Sequence, residues 1–112
     1  MRRIFLFTLV IVWACNYDEI VPETPECSEV FTYEDHTREI ISVSCATAGC
    51  HVVGGDGPGY YTTFNNISPW LNSDFFEKVI RDNSMPPLGS PELTPDERET
   101  LLCWIEADYP EN

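Results

Sequence analysis

Positive charge is scarce in this 112-residue chain, which has six Lys and Arg against nineteen Asp and Glu and a formal net charge of −13. Nucleic-acid binding depends on clustered Lys and Arg that contact phosphates, so this composition excludes nucleic acid as a partner. The length leaves room for one domain and excludes a multidomain enzyme. The sequence also lacks the Ser-His-Asp or paired-carboxylate patterns typical of hydrolytic enzymes.

Long apolar runs are missing except at the N-terminus. Residues 4–13 are apolar apart from Thr8 and follow two arginines. This pattern is typical of a secretory signal, and the run is too short for a permanent bilayer anchor. Residues 12–15 (Val-Trp-Ala-Cys) resemble a bacterial lipobox. We therefore predict a lipoprotein signal peptide over residues 1–14 and lipidation of Cys15; a buried N-terminal strand is the alternative.

Residues 15–30 contain the lipidated cysteine and a stretch of acids and prolines without periodicity, which predicts a solvated linker. Removal of residues 1–14 would leave four cations and nineteen acids, a formal charge of −15. We expect an exported protein that is anchored by lipid to a bacterial membrane. The predicted location is the outer membrane, at its periplasmic or surface face.

The cysteines carry the most informative motif. With Cys15 lipidated, four remain in an oxidising compartment, and two of these form Cys45-Ala-Thr-Ala-Gly-Cys50-His51. The Cys-x-x-Cys-His signature attaches haem through two thiols and presents the histidine to iron. This spacer is two residues longer, but its residues are small enough for a loop to fold clear of the ring. The motif predicts covalent haem.

Two other uses of these cysteines are open. Cys45 and Cys50 could pair with the other two cysteines in structural disulfides, leaving His51 as a surface residue. They could instead bind zinc together with His51 and a further ligand. Zinc sites favour two compact ligand pairs, and His36 is the only other histidine in the sequence.

Methionine is also scarce, and the chain beyond residue 14 contains only Met85. It lies 34 residues after His51, in the sequence Asn-Ser-Met-Pro-Pro-Leu-Gly (residues 83–89). Pro86 disfavours helical geometry at Met85 and stiffens the loop. Thioether sulfur is a common second axial ligand of haem iron, so Met85 is the candidate distal ligand. Filling an apolar gap is the alternative role.

Three helices are predicted from apolar spacing and capping residues, and no segment alternates long enough to be a strand. The first covers residues 34–43 and leads into the cysteine motif. The second covers residues 73–81, with Ser73 as its N-cap. The third begins at the capping box of residues 94–97 and continues to Ala107.

From about Thr32 to its end, the sequence resembles a small exported monohaem cytochrome c domain of the Cys-x4-Cys-His variant found in lipoproteins of Bacteroidetes-like bacteria. The resemblance implies an all-α, cytochrome c-like fold over residues 31–112, with three to four helices and long loops around one covalent haem c. It also implies haem thioethers at Cys45 and Cys50 and iron ligation by His51 and Met85. The matching segments are residues 39–45, 49–51, 83–87, 93–97 and 103–107.

The same resemblance implies a Cys27–Cys103 disulfide, because the first and last helices pack together in such a fold. The rival is a Cys45–Cys103 bridge with haem held only through Cys50.

About 80 residues are few for a self-sufficient core, and residues 52–66 are too glycine-rich to form one, so a buried porphyrin would supply apolar mass. Seven aromatic residues are candidates to line it: Tyr60, Tyr61, Phe64, Trp70, Phe75, Phe76 and Trp104.

The implied function is one-electron transfer by a membrane-tethered carrier, which is not an enzyme and works alone or as the haem subunit of a larger membrane complex. Its acidity predicts a redox partner with a basic docking patch. One alternative is a disulfide-stabilised, non-redox surface lipoprotein that binds another molecule. Another is a haem sensor or peroxidase-like enzyme, which would require Met85 to be absent from the iron or displaceable.

Overall fold

The computed structural model describes residues 25–112. The predicted signal peptide (residues 1–14), Cys15 and the first part of the linker lie outside the described residues. Within residues 25–112 the chain is helical and contains no strand, which confirms the all-α prediction. No helix of this part is long and apolar enough to cross a membrane.

The first helical segment (residues 33–44) is a π-helical turn, Tyr33–Thr37, that continues into helix α1, Arg38–Ser44. The hydroxyl of Thr32 caps it by accepting a hydrogen bond from the backbone N–H of Asp35 at 3.3 Å. The segment agrees with the predicted residues 34–43 to within one residue at each end. It ends immediately before the cysteine motif.

Two short helical segments follow, and the first was not predicted. Helix α2, Phe64–Ile67, continues into a 3₁₀ turn, Ser68–Trp70. Thr63 caps α2 through its hydroxyl, which accepts from the backbone N–H of Asn66 at 3.4 Å. One α-helical turn is too short to produce an apolar period in the sequence, which explains why the pattern did not reveal it.

The third helical segment (residues 73–81) consists of helix α3, Ser73–Phe76, and a π-helical turn, Glu77–Arg81. Its extent confirms the prediction, but the predicted cap is wrong by one residue. Asn72 has extended backbone geometry, and its side-chain oxygen accepts from the N–H groups of the second and third helical residues at 3.0 and 3.3 Å. Ser73 is therefore the first helical residue.

The last helix, α4, is Pro95–Glu106 and begins with the predicted capping box. The Thr94 hydroxyl accepts from the Glu97 N–H at 3.2 Å, and the Glu97 carboxylate accepts from the Thr94 N–H at 2.7 Å. Pro95 occupies the first helical position, where no intrahelical N–H bond is lost. The helix ends at Glu106, one residue before the predicted end at Ala107.

The C-terminal tail joins the first helical segment to α4. The Pro110 carbonyl accepts from the backbone N–H of Tyr33 at 2.8 Å and from the indole N–H of Trp104 at 2.9 Å. The Glu111 carbonyl accepts from the N–H of Glu34 at 3.0 Å. The tail thus satisfies N–H groups that the first turn of a helix cannot pair internally.

The core lies where these elements meet. The ring centroid of Tyr33 is 5.3 Å from that of Phe64 and 6.1 Å from that of Trp104. Tyr61 is buried and Phe64 packs against the core, so the stretch of residues 52–66, predicted to be too glycine-rich to form a core, contributes two aromatic side chains to it. The largest fully buried side chains are Trp104, Tyr33, Ile41, Ile67, Leu101 and Thr37.

The disulfide joins Cys27 to Cys103, as predicted, with the two Cα atoms 5.6 Å apart. Cys45 and Cys50 are free thiols. The alternatives with two disulfides, or with a Cys45–Cys103 bridge, are therefore wrong. The physical reason is position: Cys27 precedes the first helical segment and reaches α4, whereas Cys45 follows the opposite end of that segment.

Removal of this bridge by the paired substitutions Cys27→Ser and Cys103→Ser is expected to lower the free energy of unfolding by about 4 kcal/mol, because it closes a long loop in the unfolded chain. Urea denaturation with and without a reducing agent measures the difference. The reducing agent should have no further effect on the double variant. A non-reducing digest that shows either thiol free would contradict the pairing.

Candidate cofactor-binding site

A cavity of about 480 Å³ lies between the end of α1, the loop after the cysteine motif, the third helical segment and the Met85 loop (residues 83–89). Cys45, Cys50, His51 and Met85, the four residues predicted for haem, all line it. Met85 is 34 residues from His51 in sequence, so only the fold brings them to one cavity. The other lining residues are Ser44, Gly49, Asp56, Gly57, Pro58, Tyr61, Trp70, Asn72, Asp74, Phe75, Lys78, Val79, Pro86 and Pro87.

The motif loop (residues 45–51) folds as a closed turn directly after α1. The Cys50 N–H donates to the Thr47 carbonyl at 2.9 Å, and the His51 N–H donates to the Cys45 carbonyl at 3.2 Å. Gly49 has a φ of +83°, a backbone region that residues with a Cβ rarely adopt. The two extra spacer residues are thus taken up inside the turn, and both thiols remain at the cavity.

The return loop (residues 55–61) folds back over the motif loop. Backbone N–H groups of Asp56 and Tyr61 donate to the carbonyls of Gly49 and His51 at 3.0 and 2.9 Å. The approach is so close at Gly55 that a Cβ there would lie 1.9 Å from a motif carbonyl oxygen. Glycine in this loop is therefore a steric requirement of the site.

The return loop fixes the orientation of His51. The Nδ1 atom of His51 is 3.0 Å from the carbonyl oxygen of Pro58. A carbonyl oxygen can only accept, so we assign Nδ1 as the donor of this hydrogen bond, and Nε2 takes no part in it. The Tyr61 ring stacks on the imidazole, with centroids 4.0 Å apart and planes 4° from parallel. The Pro58 carbonyl and the Tyr61 ring therefore hold His51 in one orientation.

The two thiols differ in environment. Cys45 is buried at 9% exposure, whereas Cys50 is partly exposed. Burial, with a smaller contribution from Cys50, raises the pKa of the Cys45 thiol to about 12. The Cys45 thiol therefore stays protonated at neutral pH. Burial also raises the pKa of Tyr61, so this ring is neutral where it stacks on His51.

The Met85 loop is fixed from two sides. The Met85 N–H donates to the carbonyl of Lys78, at 3.0 Å. From α4, the Arg98 guanidinium donates to the Val79 carbonyl at 2.6 Å and to the Asn83 side-chain oxygen at 2.5 Å. Met85 itself is partly buried and packs against the core. The methionine is thus presented to the cavity by a loop that α4 stabilises.

Sequence reasoning missed Arg98 and Pro58 as supporting residues. Arg98 is a single cation in an acidic helix, and Pro58 belongs to a stretch that looks like an ordinary loop. Neither has a local signal, because each acts on a residue brought near by the fold.

Three of the seven candidate aromatic residues, Tyr61, Trp70 and Phe75, line the cavity. Four do not line it: Tyr60, Phe64, Phe76 and Trp104. Trp104 is fully buried in the core and donates its indole N–H to the tail, Phe64 packs on Tyr33, and Tyr60 is exposed. Apolar character alone did not separate core from cavity residues.

Among residues 25–112, no three His, Cys, Asp or Glu side chains form a group that could hold a metal ion. Cys45, Cys50 and His51 share the cavity without converging in this way, so the zinc alternative finds no ligand set in this part of the chain. A haem needs a different arrangement, with two separate thiols and one ligand on either side of the ring.

Comparisons of the chain with protein-family models, curated proteins and solved structures gave no match. The assignment of a function therefore rests on the cavity and the residues that line it.

Proposed function

We propose that this protein is a c-type cytochrome that carries single electrons through one haem c, bound covalently at Cys45 and Cys50 with His51 and Met85 as iron ligands. The observation that carries the proposal is the convergence of these four residues on one cavity. Because both cysteines are free, both are available for thioether bonds.

The cavity suits such a cofactor in size and chemistry. Its volume of about 480 Å³ falls within the roughly 300–1,000 Å³ typical of sites for small organic ligands. Aromatic and aliphatic side chains such as Tyr61, Phe75 and Val79 form much of its wall, as an apolar porphyrin requires. The imidazole and thioether donors match a common axial pair of haem iron.

Each supporting contact has a definite role in this proposal. The hydrogen bond from His51 Nδ1 to Pro58 orients the ring and increases the basicity of Nε2. Arg98 and the Lys78 carbonyl hold the loop that presents Met85. When bound, a haem with these ligands supplies one-electron transfer with both axial positions filled.

The main alternative is a non-redox lipoprotein module stabilised by the disulfide. The Cys27–Cys103 bond suits either function. The free thiols of Cys45 and Cys50, beside a histidine whose Nε2 is available, favour the cytochrome because a disulfide-stabilised binding module has no use for them.

Co-expression with a cytochrome c maturation system is expected to yield protein with a covalent haem, detected as a mass increment and haem absorbance after denaturation. The His51→Ala substitution should abolish normal haem attachment or ligation of the haem iron. His36→Ala is the matched control, because His36 lies outside the cavity and bonds to the Thr32 backbone at 3.1 Å. Wild-type protein without covalent haem would refute the proposed function.

Substitution of Met85 by alanine is expected to remove the weak far-red charge-transfer band that reports a methionine–iron bond, because no other thioether is present in the described residues. Leu88→Ala is the matched control in the same stretch, since the Leu88 side chain is 96% exposed and does not line the cavity. The control should keep the band. A band that persists in Met85→Ala would exclude Met85 as the ligand and favour a haem sensor or peroxidase-like site.

The proposal includes a membrane tether through lipidated Cys15, at the periplasmic or surface face of an outer membrane, and a redox partner with a basic docking patch. It rests on the sequence of residues 1–15 and on the net charge of the chain. Full-length protein expressed in a lipoprotein-exporting bacterium should fractionate with membranes, and Cys15→Ser should release it. Equal membrane association of both forms would contradict the tether.

A further inference from the structure

The few cations of the described part of the chain are nearly all engaged. Arg38 and Arg81 each form an ion pair, at 2.9 Å, with a glutamate one helical turn away. Arg98 donates to the backbone carbonyl of Val79 and to the side-chain oxygen of Asn83. Among residues 25–112, Lys78 is the one Lys or Arg whose side chain makes neither an ion pair nor a hydrogen bond. One cation is thus left without a partner among the described residues of a strongly acidic protein.

Lys78 lies on the π-helical turn of the third helical segment and lines the cavity. The other charged side chains that line it, Asp56 and Asp74, are both acids. The Nδ1 atom of His51, which also lines the cavity, is already bonded to the Pro58 carbonyl. Among the described residues that line this cavity, Lys78 is therefore the only Lys or Arg that could bind an anion.

A haem carries two carboxylates on its propionate groups. Carboxylates at the edge of an apolar cavity need hydrogen-bond donors or a cation, and two neighbouring acids oppose them. Resting on the proposed function, we propose that Lys78 binds a haem propionate through its ammonium group. The site is thus an anion site for a carboxylate, built at the mouth of the cofactor cavity.

This contact has a consequence for the haem. A positive charge at the propionate offsets its negative charge, and this favours the reduced iron, which carries one more electron. Lys78 is exposed, so salt screens the interaction. The effect on the reduction potential should be largest at low ionic strength.

The test uses the holoprotein, with haem labelled at its propionate carboxylates by growth on ¹³C-labelled 5-aminolevulinate. In the reduced, diamagnetic state, Lys78→Gln should shift one of the two carboxylate ¹³C signals and lower the midpoint potential. The Lys78→Arg variant should keep the wild-type midpoint potential, because it keeps the positive charge. Arg81→Gln is the matched control, since Arg81 is a cation on the same π-helical turn that pairs with Glu77 and does not line the cavity.

Two failures are distinguishable. Holoprotein in which both carboxylate signals are the same in Lys78→Gln as in wild type, with a potential shift no larger than that of Arg81→Gln, would overturn the role of Lys78 and leave the cytochrome intact. Wild-type protein that carries no covalent haem would overturn the proposed function and this inference with it.

Discussion

Tyr33 and Trp104 bring the first and last helical segments together, and the other elements are positioned from this contact. The two rings lie 6.1 Å apart, both side chains are almost completely buried, and the Pro110 carbonyl accepts a hydrogen bond from each residue. The Cys27–Cys103 bond ties the same two regions covalently. Burial of two large aromatic side chains is a substantial stabilising term in a domain of this size.

Both helical segments help to position residues that line the cavity. The first segment ends at Ser44 and places Cys45 at the cavity, and α4 reaches the Met85 loop through Arg98. A change in how the two segments pack would therefore move the motif loop relative to Met85. Apolar side chains such as Phe75 and Val79 line this cavity and also belong to the core.

The few cations of the described residues have different roles at the surface and at the cavity. Three of the four Lys and Arg residues in the described part of the chain serve local structure, two in ion pairs on helices and one, Arg98 of α4, in hydrogen bonds to Val79 and Asn83. The acids dominate the remaining surface, which is why we propose a basic redox partner. Lys78 differs from the other three, because it has no ion-pair partner among the described residues and lines the cavity.

Features that depend on residues close together in the chain could be predicted from the sequence. The capping box at Thr94, the helices on either side of the motif and the candidate ligands all follow from local spacing, and the structure brings those ligands to one cavity. The Cys27–Cys103 pairing is the one that the family resemblance implies, and it is present in the structure.

The groups that support the site from distant parts of the sequence depend on the tertiary fold. The Pro58 carbonyl beside His51, the contact from Arg98 to the Met85 loop and the division of aromatic residues between core and cavity have no local sequence signal. The one-residue error at Ser73 has a smaller cause, since Asn72 and Ser73 are both good caps. Capping and periodicity act within one or two helical turns, whereas these contacts depend on the path that the loops take through space.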